Sequence, residues 1–312
     1  MLGDNKSVAI ILAFYNGRKY IKEQVDSILS QSHKRLKLYI YDDNSPLKLE
    51  KSFLNLSKEF EKKVSIIRRS ENMGHARNFL FGLKEIEEDY DFYGFSDQDD
   101  IWNNNKIEDA IKDLSKKDYL KPTLYCSRTD YYNEDCTKKI GESKIFNKKP
   151  TFANALIQNI VGGNTIVFNN KAKNLIVNSL NEFDYFEHDW WTYQIISASG
   201  GEIIFSSQKT LKYRQHSNNI TGRNDRLNDK IKRLKKFFLG NFKSWNDINI
   251  ANLKRNTQLV KKQNLKILHH FIKARNSKNI ITRIIYYFKS GVFRQSNFEN
   301  FIFFIGVIFK RL

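Results

Sequence analysis

The chain has 312 residues, 40% hydrophobic and 14% aromatic, enough to bury the core of one large α/β domain plus an extension, or of two domains. Two cysteines, Cys126 and Cys136, make neither a disulfide framework nor a metal-type pair, so a reducing compartment is expected. The net charge of +19 is uneven: from Arg223 onward there are 21 Lys+Arg against 4 Asp+Glu, while the first 222 residues hold 32 against 30. That shift divides the chain into a balanced body, residues 1–222, and a basic extension, residues 223–312.

In chain order, Val8–Phe14 is a continuous apolar run, as expected of a central strand covered on both faces. It is followed by polar residues, which suits a first strand and not a signal peptide. Ile21, Val25, Ile28 and Leu29 give helical spacing over Arg18–Ser30. A second strand, Leu36–Tyr41, runs into Asp42-Asp43-Asn44-Ser45. Leu47–Phe60 is expected to be a helix, Val64–Ile67 a third strand, His75–Glu87 a helix and Phe92–Ser96 a fourth strand. Asn103–Ser115 reads as a helix and Thr123–Tyr131 as a strand. Residues 132–150 read as a loop, Thr151–Ile157 as a short helix and Thr165–Phe168 as a strand. His188–Ala198 is an aromatic-rich helix, with strands at Glu202–Phe205 and Thr210–Arg214. In the extension Ile231, Leu234, Phe237 and Phe238 recur at helical spacing, with Asn228 as cap and Gly240 as stop. Strands alternating with helices imply a doubly wound, mostly parallel sheet.

In such sheets ligands bind outside the carboxyl ends of the strands. Tyr15-Asn16, Asp42-Asp43 and Asp97–Asp100 all fall there. The last of these, Ser96-Asp97-Gln98-Asp99-Asp100, ends a buried strand in three carboxylates within four positions. Hard oxygen ligands so placed suit Mg²⁺ or Mn²⁺, and such an ion suits a diphosphate. A solvated acidic turn, or a cap for the helix that follows, would leave the same residues.

Five further marks accompany this one in fixed order over residues 7–222: Phe14-Tyr15-Asn16, Asp42-Asp43-Asn44-Ser45, Asn72-Met73-Gly74 with Arg77-Asn78, Glu187-His188-Asp189-Trp190-Trp191, and Tyr213-Arg214-Gln215-His216-Ser217-Asn218-Asn219. Together they resemble glycosyltransferase family 2, with its GT-A fold: a Rossmann-like, mostly parallel sheet flanked by helices. The DQDDIW, HDWW and YRQHxNN forms are similar to those of bacterial rhamnosyltransferases that build cell-wall or capsular polysaccharide from dTDP-rhamnose.

The resemblance implies roles. Asp97 and Asp99 match the D-x-D motif, Asp99 as the stronger metal ligand and Asp97 nearer the nucleotide ribose, with Mg²⁺ or Mn²⁺ as cofactor. Asp42, with Asp43 as second choice, accepts from the ring N–H of the base, and Tyr15 covers the base. Arg77 and Arg214 reach the diphosphate, whose oxygens suit a guanidinium fork. His216 completes the metal shell or donates to the diphosphate, and Asn218-Asn219 turns over the donor. Asp189 matches the catalytic base, with His188 in place of the usual glutamate; an aspartate opening a helix also complements its dipole. Trp190 and Trp191 offer a sugar platform, although adjacent helical residues point apart, so one at most lines the pocket. Gly162-Gly163-Asn164 resembles the acceptor-side wall.

The expected partners are a nucleotide-sugar donor, a lipid-linked glycan acceptor and an anionic membrane surface at the inner face of a bacterial cell membrane. An oligomer is compatible with all of these. In the extension, basic residues alternate with Phe, Ile, Leu and Tyr at helical spacing, which favours the membrane surface over simple solvation. No nucleic acid is expected, because no recognised nucleic-acid fold motif accompanies the charge. Phe301–Phe309 is apolar but too short to span a bilayer. Other nucleotide sugars (UDP-glucose, UDP-galactose, a UDP-N-acetylaminosugar) stay open. A nucleotidyltransferase is disfavoured, because Phe14-Tyr15-Asn16-Gly17-Arg18 is not a glycine-rich basic phosphate loop. A non-catalytic module binding a partner through the basic extension is the remaining class.

Overall fold

The first strand, β1 (Val8–Phe14), is the centre of the architecture. Its alternate side chains part to opposite faces, as the two-residue period of a strand requires. Ala9 and Ile11 enter one apolar cluster; Val8, Ile10, Leu12 and Phe14 enter another. In this computed structural model, which describes residues 5–217, 219 and 240–312, β1 is flanked by parallel β2 (Leu36–Asp42) and parallel β4 (Phe92–Ser96). β3 (Val64–Arg68) pairs in parallel outside β2. These strands end at one edge of the sheet, which brings Tyr15, Asp43 and Asp97 to the same side.

Beyond β4 the sheet becomes mixed. β5 (Ile101–Trp102), β6 (Thr123–Tyr132), β8 (Val167–Asn169) and β9 (Glu202–Arg214) complete the order β3-β2-β1-β4-β8-β6-β9-β5, and β7 (Lys139–Glu142) pairs with β6. β8 runs antiparallel to both β4 and β6, while β6 and β9 run parallel. Helices cover both faces. On one, α1 (Ile21–Leu29) buries the expected Ile21, Val25, Ile28 and Leu29. The elements α2 (Lys51–Leu54), α3 (Lys58–Lys63) and, after α4 (His75–Glu85), α5 (Lys106–Leu114) follow in chain order. α4 packs on the opposite face with α6 (Phe152–Ala155), α7 (Asn170–Asn178) and α8 (His188–Ala198). Apart from Asp189, α8 is buried all round, as a helix in the middle of a core must be.

Three expectations are corrected. Leu47–Phe60 is not one helix: Asn55 adopts φ +52°, which ends α2, and the Ser57 hydroxyl accepts from the Phe60 N–H to start α3. The two strands at Glu202–Phe205 and Thr210–Arg214 are one 13-residue strand, β9; the polar Ser206-Ser207-Gln208 lies within it, where register shifts against β6 absorb the irregularity. Residues 132–150 are not all loop, since β7 forms a hairpin with β6.

The expected boundary at 222/223, the Asn228 cap, the stripe Ile231, Leu234, Phe237 and Phe238, and the turn residue Asn218 lie outside the described residues. From Gly240 the extension is helical, with α9 (Asn241–Arg255), α10 (Lys262–Asn276), α11 (Ile280–Ser290) and α12 (Asn297–Ile308). Gly240, at φ +91°, starts α9. Phe242, Leu253, Phe271, Phe303 and Val307 are buried in the same apolar cluster as Ala9, Ile11 and Trp191. Among the described residues no helix is long and apolar enough to cross a membrane.

Because that cluster is shared, Phe271→Ala should lower the stability of the whole chain by about 3–5 kcal/mol. A calorimetric scan should show one transition moved down. Two transitions, with only one displaced, would mean that the helices fold apart from the sheet.

Candidate active site

The carboxyl ends of β1, β2 and β4 form the floor of a cleft of ≈1290 Å³. Tyr15, Asp43, Asp97, Asp99, Glu187, Asp189, Trp190 and His216 all line it. The volume exceeds the usual range for one small ligand, so it suits a large donor together with an acceptor.

At the β2 end the two aspartates have different surroundings. Asp42 is fully buried and accepts from the backbone N–H of Ser45 (2.9 Å) and Leu49 (3.2 Å), with the Arg68 guanidinium at 3.3 Å. Its carboxylate shapes the turn and does not line the cleft, which corrects its expected base contact. Asp43 lines the cleft and accepts from the N–H groups of Met73 (2.8 Å) and Gly74 (2.9 Å). Tyr15 stands exposed at the rim. Its N–H donates to Gln98 Oε1 at 2.9 Å, and Gln98 Nε2 donates back to its carbonyl at 3.1 Å. A Cβ at Gly17 would meet the Gln98 amide at 2.2 Å, so a larger residue there would displace Gln98 from these bonds. Gln98, unremarked in the sequence, therefore ties the β1 loop to the acid cluster.

Within that cluster Asp97 and Asp99 face the cleft. His216 Nε2 lies 2.9 Å from Asp99 Oδ2. The carboxylates of Asp97 and Asp99, with the His216 imidazole beside Asp99, line one cleft and are donor types that fit Mg²⁺ or Mn²⁺. Asp100 instead turns inward. It is fully buried, and its Oδ2 accepts from Asn164 Nδ2 at 2.6 Å while Oδ1 accepts from the Arg214 N–H at 3.3 Å. Burial, with Asp99 and Asp97 adding repulsion, holds its carboxyl well above the usual range.

Two expected ligand contacts are thereby redirected. Asn164 borders the cleft, but its amide is committed to Asp100 and its carbonyl accepts from the buried Lys106 ammonium at 3.0 Å. The Arg214 side chain is buried: it donates to the carbonyls of Asp99 (2.8 Å) and Glu134 (2.5 Å), pairs with Glu23, and lies over the Tyr20 ring at 4.6 Å. It braces the acid loop and has no open path to a diphosphate. Arg77 is likewise outside the cleft, donating to the Glu182 carbonyl at 3.0 Å in a small neighbouring pocket.

The other end of the cleft belongs to α8. Asp189 Oδ2 accepts from the Gly163 N–H at 3.1 Å, and Oδ1 from the Trp190 N–H at 2.6 Å. Burial and then the neighbouring Glu187 charge push its carboxyl up to about 7. Such a group accepts a proton effectively near neutral pH. His188 is buried, stacked on Phe79 at 4.0 Å, and burial lowers its affinity for a proton. A Cβ on Gly163 would come within 2.6 Å of His188 Nε2, so this glycine permits the close approach. Trp190 lines the cleft while donating Nε1–H to the Ala155 carbonyl at 2.7 Å. Trp191 is core, its Nε1–H on Ser179 Oγ at 3.1 Å, and is no part of a sugar platform.

His75 joins the two ends. Its Nε2 is 3.5 Å from Asp97 and its Nδ1 3.7 Å from Glu187. Burial pulls its pKa down, but the two carboxylates overcome that and hold it at about 10, so it is a cation near neutral pH. His75, Glu187 and His188 each bring a ligand atom within 4.8 Å of the others. With its ring between Asp97 and Glu187, His75 bridges the two carboxylates. Only its position one residue past Gly74, at a helix start beside a strand edge, hinted at this role in the sequence.

One half of the cleft is thus acidic, suited to an ion and a diphosphate; the other holds the cleft-lining Asp189 carboxylate, suited to deprotonating a hydroxyl. The family model for glycosyl transferase family 2 matches residues 9–174. The chain is 30% identical over 234 residues to the dTDP-rhamnosyl transferase RfbG of Shigella flexneri, covering 72% of this chain and 78% of that protein. It is 30% identical over 110 residues to the putative teichuronic acid biosynthesis glycosyltransferase TuaG of Bacillus subtilis, covering 35% and 42%. In fold it is similar to S. aureus TarS 1-349 in complex with UDP-GlcNAc (TM-score 0.52, 14% identity, 92% of this chain and 93% of that one). It is also similar to the mannosyltransferase PcManGT from Pyrobaculum calidifontis in complex with GDP-Man and Mn²⁺ (TM-score 0.52, 13% identity, 98% and 86%). With its GT-A architecture and this order of cleft residues, the chain belongs to glycosyltransferase family 2 and is a glycosyltransferase.

Proposed function

We propose that this enzyme is an inverting, metal-dependent transferase that moves rhamnose from dTDP-rhamnose to a lipid-linked cell-wall or capsular glycan at the inner face of a bacterial membrane. The observation that carries the reaction is the Asp189 carboxyl, raised to about 7, in one cleft with Asp97 and Asp99. The likeness to a dTDP-rhamnosyl transferase over 72% of the chain supports the donor.

In this reading Asp43 accepts from the base and Tyr15 covers it, which their positions on the cleft wall support. A Mg²⁺ or Mn²⁺ ion held by Asp99, with Asp97 and His216, would neutralise charge on the departing diphosphate. At the other end Asp189 takes the proton of the acceptor hydroxyl, which attacks the anomeric carbon opposite the leaving group in a single displacement. The N–H groups of Gly163 and Trp190 fix the carboxylate, and Glu187 keeps it basic. His75 lies between Asp97 and Glu187 and offsets their mutual repulsion in one cavity.

Asp189→Asn should bind the nucleotide normally and lose transfer by about 10²-fold or more, read from calorimetric titration beside turnover. Unimpaired turnover would remove Asp189 from the mechanism. Since the base acts ionised, kcat/KM should climb with pH through about 7 and level off above it. Glu187→Gln removes a neighbouring negative charge, so the rising limb should move to lower pH; a limb that stayed in place would assign it to another group. Asp99→Ala should abolish metal-dependent donor binding in a thermal-shift screen of dTDP-rhamnose, UDP-glucose, UDP-galactose and UDP-N-acetylglucosamine. Full activity in the presence of chelator would reject the ion, and a shift with a UDP-sugar alone would reject rhamnose.

A further inference from the structure

α11 and α12 each hold one apolar stripe out of the core. On α11, Ile281 (65% exposed), Ile285 and Phe288 (67%) recur at helical spacing; on α12, Phe298 (69%) and Phe301 do the same. The stripes adjoin, with the Phe288 and Phe304 rings 5.7 Å apart. The helices themselves are fixed. Arg283 donates from the buried side of α11 to the carbonyls of Val307 (3.0 Å) and Ile308 (2.5 Å), and Phe303 is core. The exposure is therefore a built face, and a contiguous apolar face of this kind marks a binding surface.

Charge identifies the partner. Between Lys261 and Leu312 the chain carries 11 Lys+Arg and a single acid, Glu299. That acid is occupied by Arg294 at 3.1 Å and Lys144 at 3.4 Å. Exposed Lys278, Lys289, Lys310 and Arg311 flank the apolar stripes. An apolar centre with a cationic rim and no free acid complements the interface of an anionic bilayer. A second copy docked on the same face would set these cations against their own kind.

The face also connects to the cleft. Phe298 and Phe301 bracket Glu299 and Asn300 in the first turns of α12, yet Glu299 turns inward and lines the cleft with Arg294. Glu299 accepts from Gln158 Nε2 at 3.3 Å, and Gln158, Asn159, Asp189 and Glu299 line the same cleft. The bilayer-facing helix thus abuts the Asp189 end.

We propose that α11 and α12 form a docking platform for an anionic bilayer, and that it sets the Asp189 end of the cleft at the membrane so that the acceptor enters from the lipid side. The acceptor clause rests on the transferase reading above; the docking clause does not.

The test is sedimentation of the full chain with vesicles of equal phosphatidylcholine and phosphatidylglycerol, and with phosphatidylcholine alone. The chain should pellet with the anionic vesicles, less as salt rises, and only weakly with the neutral ones. The triple variant Ile281→Ser/Phe298→Ser/Phe301→Ser changes only exposed positions and should weaken vesicle binding by roughly tenfold or more. It should keep wild-type affinity for nucleotide, which shows that the fold survives. With acceptor embedded in vesicles its transfer should fall in step, while transfer to a water-soluble acceptor stays unchanged. Vesicle binding by the triple variant equal to that of the wild type overturns the proposal. So does a wild-type chain that ignores vesicles but forms a dimer which the triple variant loses. A chain that docks through this face yet transfers no sugar overturns the enzymatic reading and leaves the platform standing.

Discussion

The Asp100 carboxyl is the fixed point of the site. It leaves solvent entirely and is held between the Asn164 amide and the Arg214 backbone, two segments far apart in sequence. A buried acid without such partners would cost several kcal/mol, so β4, the Gly163–Thr165 turn and the end of β9 must assemble together. Lys106 extends the same arrangement. Buried, its pKa drawn down to about 7, it lies over the Trp102 ring at 4.4 Å and donates to the Asn164 carbonyl. With Asp100 anchored inward, Asp97 and Asp99 are left at the surface of the cleft.

The cleft gathers several acids that repel one another, and its electrostatics rest on how they are separated. Asp43 spends its charge on two backbone N–H groups. Asp97 and Glu187 share the His75 cation. Asp189 is the one whose ionisation moves into the neutral range, because burial and Glu187 act on it together. Asp97 and Asp99 on one wall and the carboxylate of raised pKa at Asp189 separate the leaving-group end from the proton-accepting end of one cavity.

The C-terminal helices bear on the site as directly as the sheet does. Phe242 and Trp245 line the cleft, and the 293–299 segment is bonded to residues 148–158 through Asn154, Gln158 and Gln295. A division drawn from charge alone separates residues that share one apolar core. Charge reports what the outer surface of those helices meets, and it does not reveal that their inner surface closes a cavity.

Much of the site was legible because its signal is local. A buried strand must read as an apolar run, and the crossover rule places polar residues at its carboxyl end beside any ligand; Val8–Phe14 and Phe92–Ser96 needed no more, while Asp97–Asp99 drew meaning from the other marks in order. Neighbouring like residues were not resolvable. Asp42 and Asp43, or Trp190 and Trp191, differ only in which way the chain turns, and that depends on which N–H groups and core neighbours lie within reach. Arg77 and Arg214 were misassigned because a long guanidinium side chain finds its partners in space, and theirs are backbone carbonyls from distant segments. The sequence by itself determined the elements and the chemical inventory of the strand ends. Only the tertiary structure decided which groups face the cleft and with what charge, because burial and the pairing of residues like His75, Asp97 and Glu187 arise only when the chain is closed.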